Sequence, residues 1–545
     1  MRYVIIILIA IKLFGGSNIM EKRFNVTGTC VPSKDYMVDT TQKLKQIKRL
    51  INFGDYFTIN RGRQYGKTTT LFTLANELKD EYVVIRLSFE VVSNEDFFKD
   101  VPDFCQGFLE KIAKALRVTG HEESYCNKWQ NKEVTTFEML STHITKMCKT
   151  DKVLLMIDEV DKASNNLIFL GFLAMLRNKY LSRREGLDFT FHSVILAGVY
   201  DIKNIKLKMI NEGLHTPTQT EGKIHNSPWN IAIDFKVDMS FSAEEIKTML
   251  TDYETDHQTG MDITIIAQEI YFYTGGYPVL VSRVCKYMDE ELKQWDVVGV
   301  REAVRLIIRE KENPLFRGLS QNLEGHSEVY KLLYDVLILG HRRSFSIDNP
   351  AVDLAYRYGY IQDIKEQVKI SNKIFEVRMT NYFISKDEGR ENQVLNGGWF
   401  TDITRGGRFN MEMCLERFQA HWQEIYTVKE EKFIENQCRM IFLTYLKPLL
   451  NGIGFAFIES SLTDDRRMDL VLTYGNERFI IELKTWKGEV YNEEGVEQLL
   501  GYMDNYNEEK GYLLTFDFRK KPVPQEPQWV RHGNREILEV RVSKE

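Results

Sequence analysis

The sequence predicts an α/β protein built around a parallel β-sheet that helices cover on both faces. Three segments carry this prediction, since "YFTIN", "KVLLMIDEV" and "SVILAGVY" are largely continuous apolar runs. Strands that are apolar along their whole length are typical of parallel sheets buried on both sides. Helical periodicity separates these runs, and "EYVVIRLSFE" provides a fourth strand, which supports the same fold class.

The composition predicts a folded chain with several domains. Its 545 residues exceed the usual size of one hydrophobic core, and 43% of them are hydrophobic while 28% are charged. A formal net charge of −6 gives no global basic signal for nucleic acid, although it leaves a local basic groove open. The seven scattered cysteines form no Cys-x-x-Cys pair, which argues against a disulfide framework or a zinc site and favours a reducing, cytoplasmic compartment.

The N-terminal stretch "MRYVIIILIAIKLFGGSNIM" complicates that assignment. Its apolar run from Tyr3 to Phe14 is short for a bilayer span, and no clear small-x-small cleavage site follows it. We interpret residues 1–19 as a misassigned start, with translation beginning at Met20, and expect no stable membrane association. A signal sequence and a membrane anchor are the alternatives.

Changes in periodicity along the chain predict the domain organisation. The pattern becomes helical from about Phe241, and "RYGYIQD" with "IFEVRM" predicts the β-hairpin of a winged-helix-like connector. A glycine-rich joint follows, and the last block reads as helix, strand, strand, helix, strand. The predicted domains are a core at 20–240, a helical lid at 241–315, a winged-helix-like module at 316–395, a linker at 396–429 and a second α/β domain at 430–545.

The segment "INRGRQYGKTTTL" has the features of a phosphate-binding loop, since it follows the first strand and opens a helix. Backbone N–H groups at a helix N-terminus bind phosphate oxygens, and Gly66 would let the backbone approach them closely. Lys67 would reach the β- and γ-phosphates, and Thr68 would bind Mg²⁺ through its hydroxyl. Arg61 stands where the strict pattern has its first glycine, so an ordinary helix start is the alternative. The predicted nucleotide-binding residues of this loop are Arg63, Gln64, Tyr65, Gly66, Lys67, Thr68 and Thr69.

A second element strengthens the nucleotide-site prediction. The apolar strand in "KVLLMIDEVDKA" ends in Asp158 and Glu159, and acids at the carboxyl end of a buried parallel strand lie on the ligand edge of the sheet. Asp158 would contribute to the Mg²⁺ shell, and Glu159 would orient or deprotonate the attacking water. A pair of solvated carboxylates closing a strand is the alternative.

Taken together, "YFTINRGRQYGKTTTL", "LLMIDEVDKA" and "YTGGYPVLVSRVC" resemble the AAA-like P-loop ATPase domains, relatives of the STAND ATPases, that occur beside nuclease domains in many bacteria. The resemblance covers about Phe24 to Asn313 and implies ATP and Mg²⁺ as cofactors. Members of this group often lack the first P-loop glycine. The resemblance also implies that Pro278, in "GGYP", lies in the sensor region of the helical lid close to the nucleotide. An ordinary turn with proline starting the next helix is the alternative.

The C-terminal block contains a second candidate site. "RRMDLVLTYGNERFIIELK" predicts a hairpin that turns near Gly475 and can bring Asp469 beside Glu482. Because residues i and i+2 of a strand point the same way, Glu482 and Lys484 share one face. Two converging carboxylates repel unless a cation lies between them, and oxygen-only ligands suit Mg²⁺ or Mn²⁺. Lys484 would orient or help to deprotonate a water for phosphodiester hydrolysis. A solvated salt bridge is the alternative for such a pair taken alone.

The flanking helices extend this pattern. Glu435 lies on the preceding helix as a further candidate metal ligand, and Gln498 lies on the following one. The order of these residues resembles the PD-(D/E)XK nuclease superfamily from about Glu430 to the C-terminus, which implies a restriction-endonuclease-like α/β fold. The implied catalytic residues are Asp469, Glu482, Lys484 and Gln498, and the implied metal ligands are Glu435, Asp469 and Glu482.

The sequence thus predicts an ATPase coupled to a metal-dependent nuclease, with nucleic acid, and DNA in particular, as the expected partner. Defence against foreign DNA fits this architecture. The alternative is an ATP-operated switch that binds nucleic acid or protein through an inactive nuclease-like domain. The oligomeric state stays open, with a homo-oligomer as one alternative, because ATPases of this kind often complete their sites between subunits.

Overall fold

The computed structural model describes residues 22–89, 97–162, 167–199, 229, 231–233, 235–338, 341–388, 400–428, 438–450, 454–459, 468–475, 477–519, 522 and 525–543. The leader at 1–19 and the predicted ligand Glu435 lie outside these ranges. The chain divides into two compact units, one of Met1–Tyr271 with Gly276–Asp296 and one of Phe272–Gly275 with Val297–Glu545.

The first unit contains a four-stranded parallel sheet, which confirms the predicted α/β class. Its strands are β1 (Tyr56–Asn60), β2 (Val83–Ser88), β3 (Val153–Asp158) and β4 (Ser193–Gly198). The strand order is β1-β4-β3-β2, and both β3 and β4 are buried along their whole length. The carboxyl ends of all four strands therefore lie at one edge of the sheet.

Helices cover both faces of this sheet. They are α1 (Thr41–Asn52), α2 (Lys67–Leu78), α3 (Val101–Val118), α4 (Glu123–Trp129), α5 (Phe137–Cys148) and α6 (Leu167–Arg184). One hydrophobic cluster joins α1 and α2 to Leu154 and Met156 of β3, and another joins α3, α5 and α6 to Leu155 and Ile157. Alternate residues of the same strand therefore enter opposite cores, which explains why the strand is continuously apolar.

Three further helices follow where the sequence predicts the lid. They are α7 (Ala243–His257), α8 (Ile263–Thr274) and α9 (Pro278–Tyr287). Ser242 and Glu245 form a capping box that starts α7. Gly276, before α9, has a φ of +71°, and a Cβ atom there would lie 1.8 Å from the carbonyl oxygen of Phe241. This close backbone approach requires glycine.

The second unit begins with a helical region that encloses a short hairpin. Its helices are α10 (Val297–Arg309), α11 (Pro314–Gly325), α12 (Ser327–Leu337), α13 (Pro350–Arg357) and α14 (Lys373–Glu388). The hairpin consists of β5 (Ile361–Ile364) and β6 (Gln367–Ile370), which pair antiparallel.

The second strand predicted for this hairpin is wrong. "IFEVRM" lies in α14, where Ile374, Phe375 and Met379 are buried on one helical face and the Asn372 side chain accepts a hydrogen bond from the Phe375 amide. The real partner strand comes earlier, after a turn in which Lys365 and Glu366 both have positive φ. Such turns normally contain asparagine or glycine, so this one carries no sequence signal.

The C-terminal part of the second unit holds a six-stranded mixed sheet with the order β11-β12-β10-β9-β8-β7. Its strands are β7 (Gly454–Glu459), β8 (Met468–Tyr474), β9 (Glu477–Thr485), β10 (Lys510–Asp517), β11 (Gln528–His532) and β12 (Arg535–Ser543). The helices of this part are α15 (Phe400–Ile403), α16 (Met411–Val428), α17 (Cys438–Leu450) and α18 (Glu489–Tyr506). The sequence prediction contains the helices before and after the central hairpin but lacks β7 and the pair β11 and β12.

Two helices pack on opposite faces of this sheet. Leu499 and Met503 of α18 pack with Ile480 and Leu513 in one hydrophobic cluster. On the other face, the Trp422 ring of α16 lies 5.1 Å from the Phe516 ring of β10. The face that carries Glu482 and Lys484 is therefore the face that α18 covers.

Within the described part of the chain, no helix combines the length and apolarity needed to cross a membrane. All seven cysteines are free, and six of them are buried. The cysteines therefore act as small packing side chains rather than as covalent links.

Candidate functional site

The loop between β1 and α2 has the backbone geometry of a phosphate site. Gly66 caps α2 with a φ of +80°, and Gln64 also has a positive φ of 57°. Left-handed residues in such a loop turn successive N–H groups toward one concave surface. Lys67 begins α2 and is only 6% exposed, and its Nζ atom donates hydrogen bonds of 2.9 Å to the carbonyl oxygens of Arg61 and Gly62. The ammonium group is therefore held inside the loop by backbone acceptors.

The surroundings of Lys67 are electrostatically suited to an anionic ligand. Burial lowers the pKa of Lys67, and the carboxylates of Asp161, Glu159 and Asp158 counteract part of that shift. A buried ammonium group loses hydration, so an additional negative charge at this point would stabilise its protonated form. A phosphate group supplies that charge.

The two predicted nucleotide motifs meet at the edge of the sheet. The Thr68 hydroxyl donates a 2.7 Å hydrogen bond to Oδ2 of Asp158, whose Oδ1 accepts from the Glu159 amide. A threonine hydroxyl and an aspartate carboxylate are both oxygen ligands of the type that Mg²⁺ prefers. Glu159 has a φ of +56°, which is uncommon for a residue with a side chain and is often found at functional sites.

Asp161, which the sequence prediction omits, holds the carboxyl ends of two strands together. Both carboxylate oxygens of Asp161 accept hydrogen bonds from the Val199 amide, at 2.9 and 2.7 Å, which ties the end of β3 to the end of β4. Asp161 follows the predicted acids by two positions in "DEVD", so the motif itself contains the only local signal for it.

The lid helices contact the loop within the first unit. The Tyr277 hydroxyl donates a 2.7 Å hydrogen bond to the Arg63 carbonyl oxygen, and its ring lies edge-on to Tyr65 at 4.6 Å. The neighbouring Pro278, predicted to lie near the nucleotide, is the first residue of α9. On the other side of the loop, the Thr69 hydroxyl accepts from the Cys30 amide at 3.2 Å. Tyr277 belongs to the "GGYP" segment that the resemblance puts near the nucleotide, whereas the contact from Cys30 was not predicted.

The second site lies on β9. The register of the hairpin pairs Asp469 of β8 with Glu482 of β9, as the turn near Gly475 predicts. Glu482 is fully buried and Lys484 is 3% exposed, with Nζ of Lys484 at 3.3 Å from Oε1 of Glu482. Lys484 also donates a 3.1 Å hydrogen bond to Oε1 of Gln498 on α18. The structure thus brings three of the predicted catalytic residues together.

The Glu482 carboxylate is suited to hold a cation. Neither of its oxygens has a hydrogen-bond partner among the described residues. A buried carboxylate without hydrogen bonds is costly, and metal coordination is one of the few ways to compensate it. The described side chains include no group of three acidic, histidine or cysteine residues that could hold a metal ion. Of the other predicted ligands, Asp469 is described only in its backbone and Glu435 lies outside the described residues.

The packing of α18 shapes the space around Lys484. A Cβ atom on Gly495 would lie 3.0 Å from Cε of Lys484 and 3.4 Å from its Cγ. Glycine at this helix position therefore leaves room for the aliphatic part of the lysine to run under the helix and reach Gln498. Glycine in a helix interior carries no sequence signal for such a contact, so this residue was not predicted.

The fold and the two sites define a P-loop ATPase region joined to a restriction-endonuclease-like domain. A family model described as an AAA-like domain matches residues 28–377, which is more than half of the chain. A second model, described as a restriction endonuclease, matches residues 441–526. The chain therefore belongs to the AAA-like domain family and carries a C-terminal restriction-endonuclease-like domain, which confirms both resemblances. The two domains imply use of a nucleotide and of a divalent metal.

Three solved structures are similar to part of the chain. A Walker-type ATPase of Pyrococcus abyssi has 12% sequence identity and a TM-score of 0.45, over 65% of this chain and 99% of that one. The ORC2 protein of Aeropyrum pernix, solved as ADPNP–ADP complexes, has 12% identity and a TM-score of 0.37, over 68% and 99%. Cdc6p from Pyrobaculum aerophilum has 13% identity and a TM-score of 0.31, over 67% and 97%. The comparison with curated proteins gave no match.

Proposed function

We propose that the protein binds and hydrolyses ATP and that its C-terminal domain, under the control of the ATPase, hydrolyses phosphodiester bonds of DNA with Mg²⁺ or Mn²⁺. The observation that carries the nuclease part is the buried Glu482 carboxylate, which accepts no hydrogen bond among the described residues and lies 3.3 Å from the Lys484 ammonium group. A carboxylate kept in this state fits a cation-binding function better than a structural ion pair, because structural pairs normally satisfy both oxygens.

In the nuclease domain, Glu482 and Asp469 would hold the divalent cation, with Glu435 as a further ligand. A bound cation supplies an activated water and stabilises the negative charge that develops on the phosphate. Lys484, held by its hydrogen bond to Gln498, would orient the attacking water through Nζ, and Nζ would accept the proton of that water only in its neutral amine form. Because Glu482 and Lys484 are almost fully buried, the pair works in a site from which bulk water is largely excluded.

In the ATPase domain, Thr68 and Asp158 would hold Mg²⁺, and the Lys67 ammonium group exchanges its two backbone acceptors for phosphate oxygens. Glu159 orients the attacking water. The hydrogen bond from Tyr277 to the loop carbonyl of Arg63 gives the lid helices a direct contact with the phosphate loop. Nucleotide binding can therefore bias the position of the lid, and we propose that this change controls the nuclease.

The proposal extends to the connector, the cellular compartment and the assembly of the protein. The region from α12 to α14, with its β5–β6 hairpin, fits a winged-helix-like module that contributes to DNA binding. Seven free cysteines support a reducing compartment such as the cytoplasm. We also propose that several copies of the protein assemble and that the protein acts in defence against foreign DNA.

Cleavage assays on plasmid and single-stranded DNA, with Mg²⁺ or Mn²⁺ and with or without ATP, test the proposal directly. We expect the wild-type protein to cut, Lys484→Ala to lose cleavage while it keeps ATP hydrolysis, and Lys67→Ala to lose the response to ATP. ATP hydrolysis without metal-dependent cleavage of either DNA would contradict the nuclease proposal. It would favour an ATP-operated binding switch with an inactive nuclease-like domain.

A further inference from the structure

A cluster of two arginines and one tryptophan lies beside the nuclease site. Trp486 directly follows β9, two positions after Lys484, so it continues the alternation that puts Glu482 and Lys484 on one face. The guanidinium carbon of Arg541 lies 3.7 Å from the centre of the Trp486 ring, and that of Arg519 lies 5.0 Å from it. Both distances are within the range of a cation–π interaction.

The strand register places this cluster next to the catalytic lysine. Thr515 of β10 pairs with Lys484 of β9 on one side and with Arg541 of β12 on the other. Residues in register across parallel strands point to the same face, so Lys484 and Arg541 lie in one row. Two strand spacings separate their backbones by about 10 Å.

The two arginines differ in their hydrogen bonds to carboxylates. The buried Asp517 carboxylate accepts three hydrogen bonds of 2.6–3.1 Å from the Arg519 side chain, so the charge of Arg519 is locally compensated. Among the described residues, none accepts a hydrogen bond from the buried Nε atom of Arg541. Burial lowers the pKa of Arg541, and Asp517, Glu539 and Glu489 are the carboxylates whose charges counteract this shift.

We propose that Arg541, stacked on Trp486, binds the phosphodiester backbone of the nucleic-acid strand next to the scissile phosphate. A planar guanidinium group can make paired hydrogen bonds to a phosphate, and stacking on an aromatic ring fixes its plane. Trp486 supplies that ring, and the Arg519–Asp517 pair supports the ring from the end of β10. Asp517 is the carboxylate that could neutralise Arg541 from the neighbouring strand, but Arg519 occupies it. Arg541 thus binds the substrate without taking part in the chemical step, and this inference rests on the proposed nuclease function.

The test measures DNA binding by fluorescence anisotropy over a range of salt concentrations. All variants are made in the full-length Lys484→Ala protein with Mg²⁺ present, so that binding is measured without cleavage. The probe is a fluorescein-labelled duplex of 30 base pairs. We expect Arg541→Gln to weaken binding about tenfold, as loss of a charged hydrogen bond should. It should also reduce the slope of log K against log salt by about 0.9, which is the effect of one lost phosphate contact on a duplex.

Two further variants separate this role from a structural one. Arg541→Lys keeps the charge and should keep most of the salt slope. Arg531→Gln removes an exposed arginine of β11, whose Nε donates to the Gly533 carbonyl oxygen, and should leave the slope unchanged. In the protein that retains Lys484, Arg541→Gln should raise KM for DNA much more than it lowers kcat.

The outcomes distinguish the two proposals. If the Lys484→Ala protein binds DNA and Arg541→Gln has the same slope and affinity as Arg531→Gln, the phosphate contact is overturned while the nuclease proposal stands. If neither the parent protein nor the wild-type protein in metal-free buffer binds DNA at any salt concentration, both the nuclease proposal and this inference fail.

Discussion

Replacing Glu482 by glutamine should destabilise the C-terminal domain in metal-free buffer as well as abolish cleavage. Nζ of Lys484 lies 3.3 Å from Oε1 of Glu482, and both side chains are nearly inaccessible. At an effective dielectric constant of about 20, two unit charges at this distance attract by about 5 kcal/mol before desolvation is subtracted. Removing one partner of a buried pair costs about 3–5 kcal/mol, because it leaves the other charge unpaired. Lys484 retains its hydrogen bond to Gln498, so we expect Glu482→Gln to lower the free energy of unfolding of this domain by about 3 kcal/mol, the lower end of that range.

The double variant Glu482→Gln with Lys484→Met provides the internal test. It removes both charges, and replacement of a whole buried pair is often neutral or stabilising. We therefore expect the stability of the double variant to lie within about 1 kcal/mol of that of the wild type. The coupling energy between Glu482 and Lys484 is then about 2 kcal/mol or more. Hydrogen exchange of peptides that cover β9 and α18 is the suitable assay, because global unfolding of a chain with several domains is not a two-state process.

Exchange at β9 should be about a hundredfold faster in Glu482→Gln than in the wild type, if about 3 kcal/mol is lost. Glu497→Gln makes the same chemical change on the exposed side of α18 and should leave exchange unchanged. Mg²⁺ at ten times its dissociation constant should raise the free energy of opening at β9 by about 1.4 kcal/mol in the wild type and should slow exchange there accordingly. It should leave exchange in Glu482→Gln unchanged. Wild-type exchange rates in Glu482→Gln, or equal protection of both proteins by Mg²⁺, would refute this reasoning.

Two other substitutions probe the two sites. Glu159→Gln should keep ATP binding but slow hydrolysis by about 10²–10⁴-fold, because it removes the residue that we propose to orient or deprotonate the water. An unchanged hydrolysis rate in a single-turnover assay would exclude that role. Gly495→Ala should reduce DNA cleavage severalfold, because its Cβ would lie 3.0 Å from Cε of Lys484, whereas Gly501→Ala on the same helix meets no atom within 4 Å and serves as the control. Equal cleavage rates for the two alanine variants would show that Lys484 needs no space at Gly495.

Local patterns in the sequence carry much of the information about both sites. The apolar strand that ends in Asp158 and the loop that ends in Thr68 are each readable alone, and a parallel sheet puts both at its carboxyl edge. The 2.7 Å hydrogen bond between these two side chains requires in addition that β1 and β3 lie close together in the sheet, where only β4 separates them. In the same way, alternation along β9 is sufficient to put Glu482 and Lys484 on one face.

Other features depend on contacts that no local pattern encodes. Within the predicted hairpin, strand β6 escaped prediction because Lys365 and Glu366 form the turn before it with positive φ, against their usual preference. Strands β11 and β12 also escaped prediction, because they lie beyond the motif that defines the nuclease resemblance. Their residues become informative only when the order of the sheet is known.

The sequence by itself determined which residue types the two candidate sites contain and which of them share a strand face or a loop, because both follow from short spacings on single elements. It did not determine which distant residues surround them. Arg541 is 57 positions after Lys484, and the two share a row only because β10 lies between β9 and β12 in register. That register is a property of the whole sheet, set by packing of Leu499 and Met503 against residues of several strands. Pairing between distant strands is selected by the burial of the assembled core, which no short segment of the chain contains.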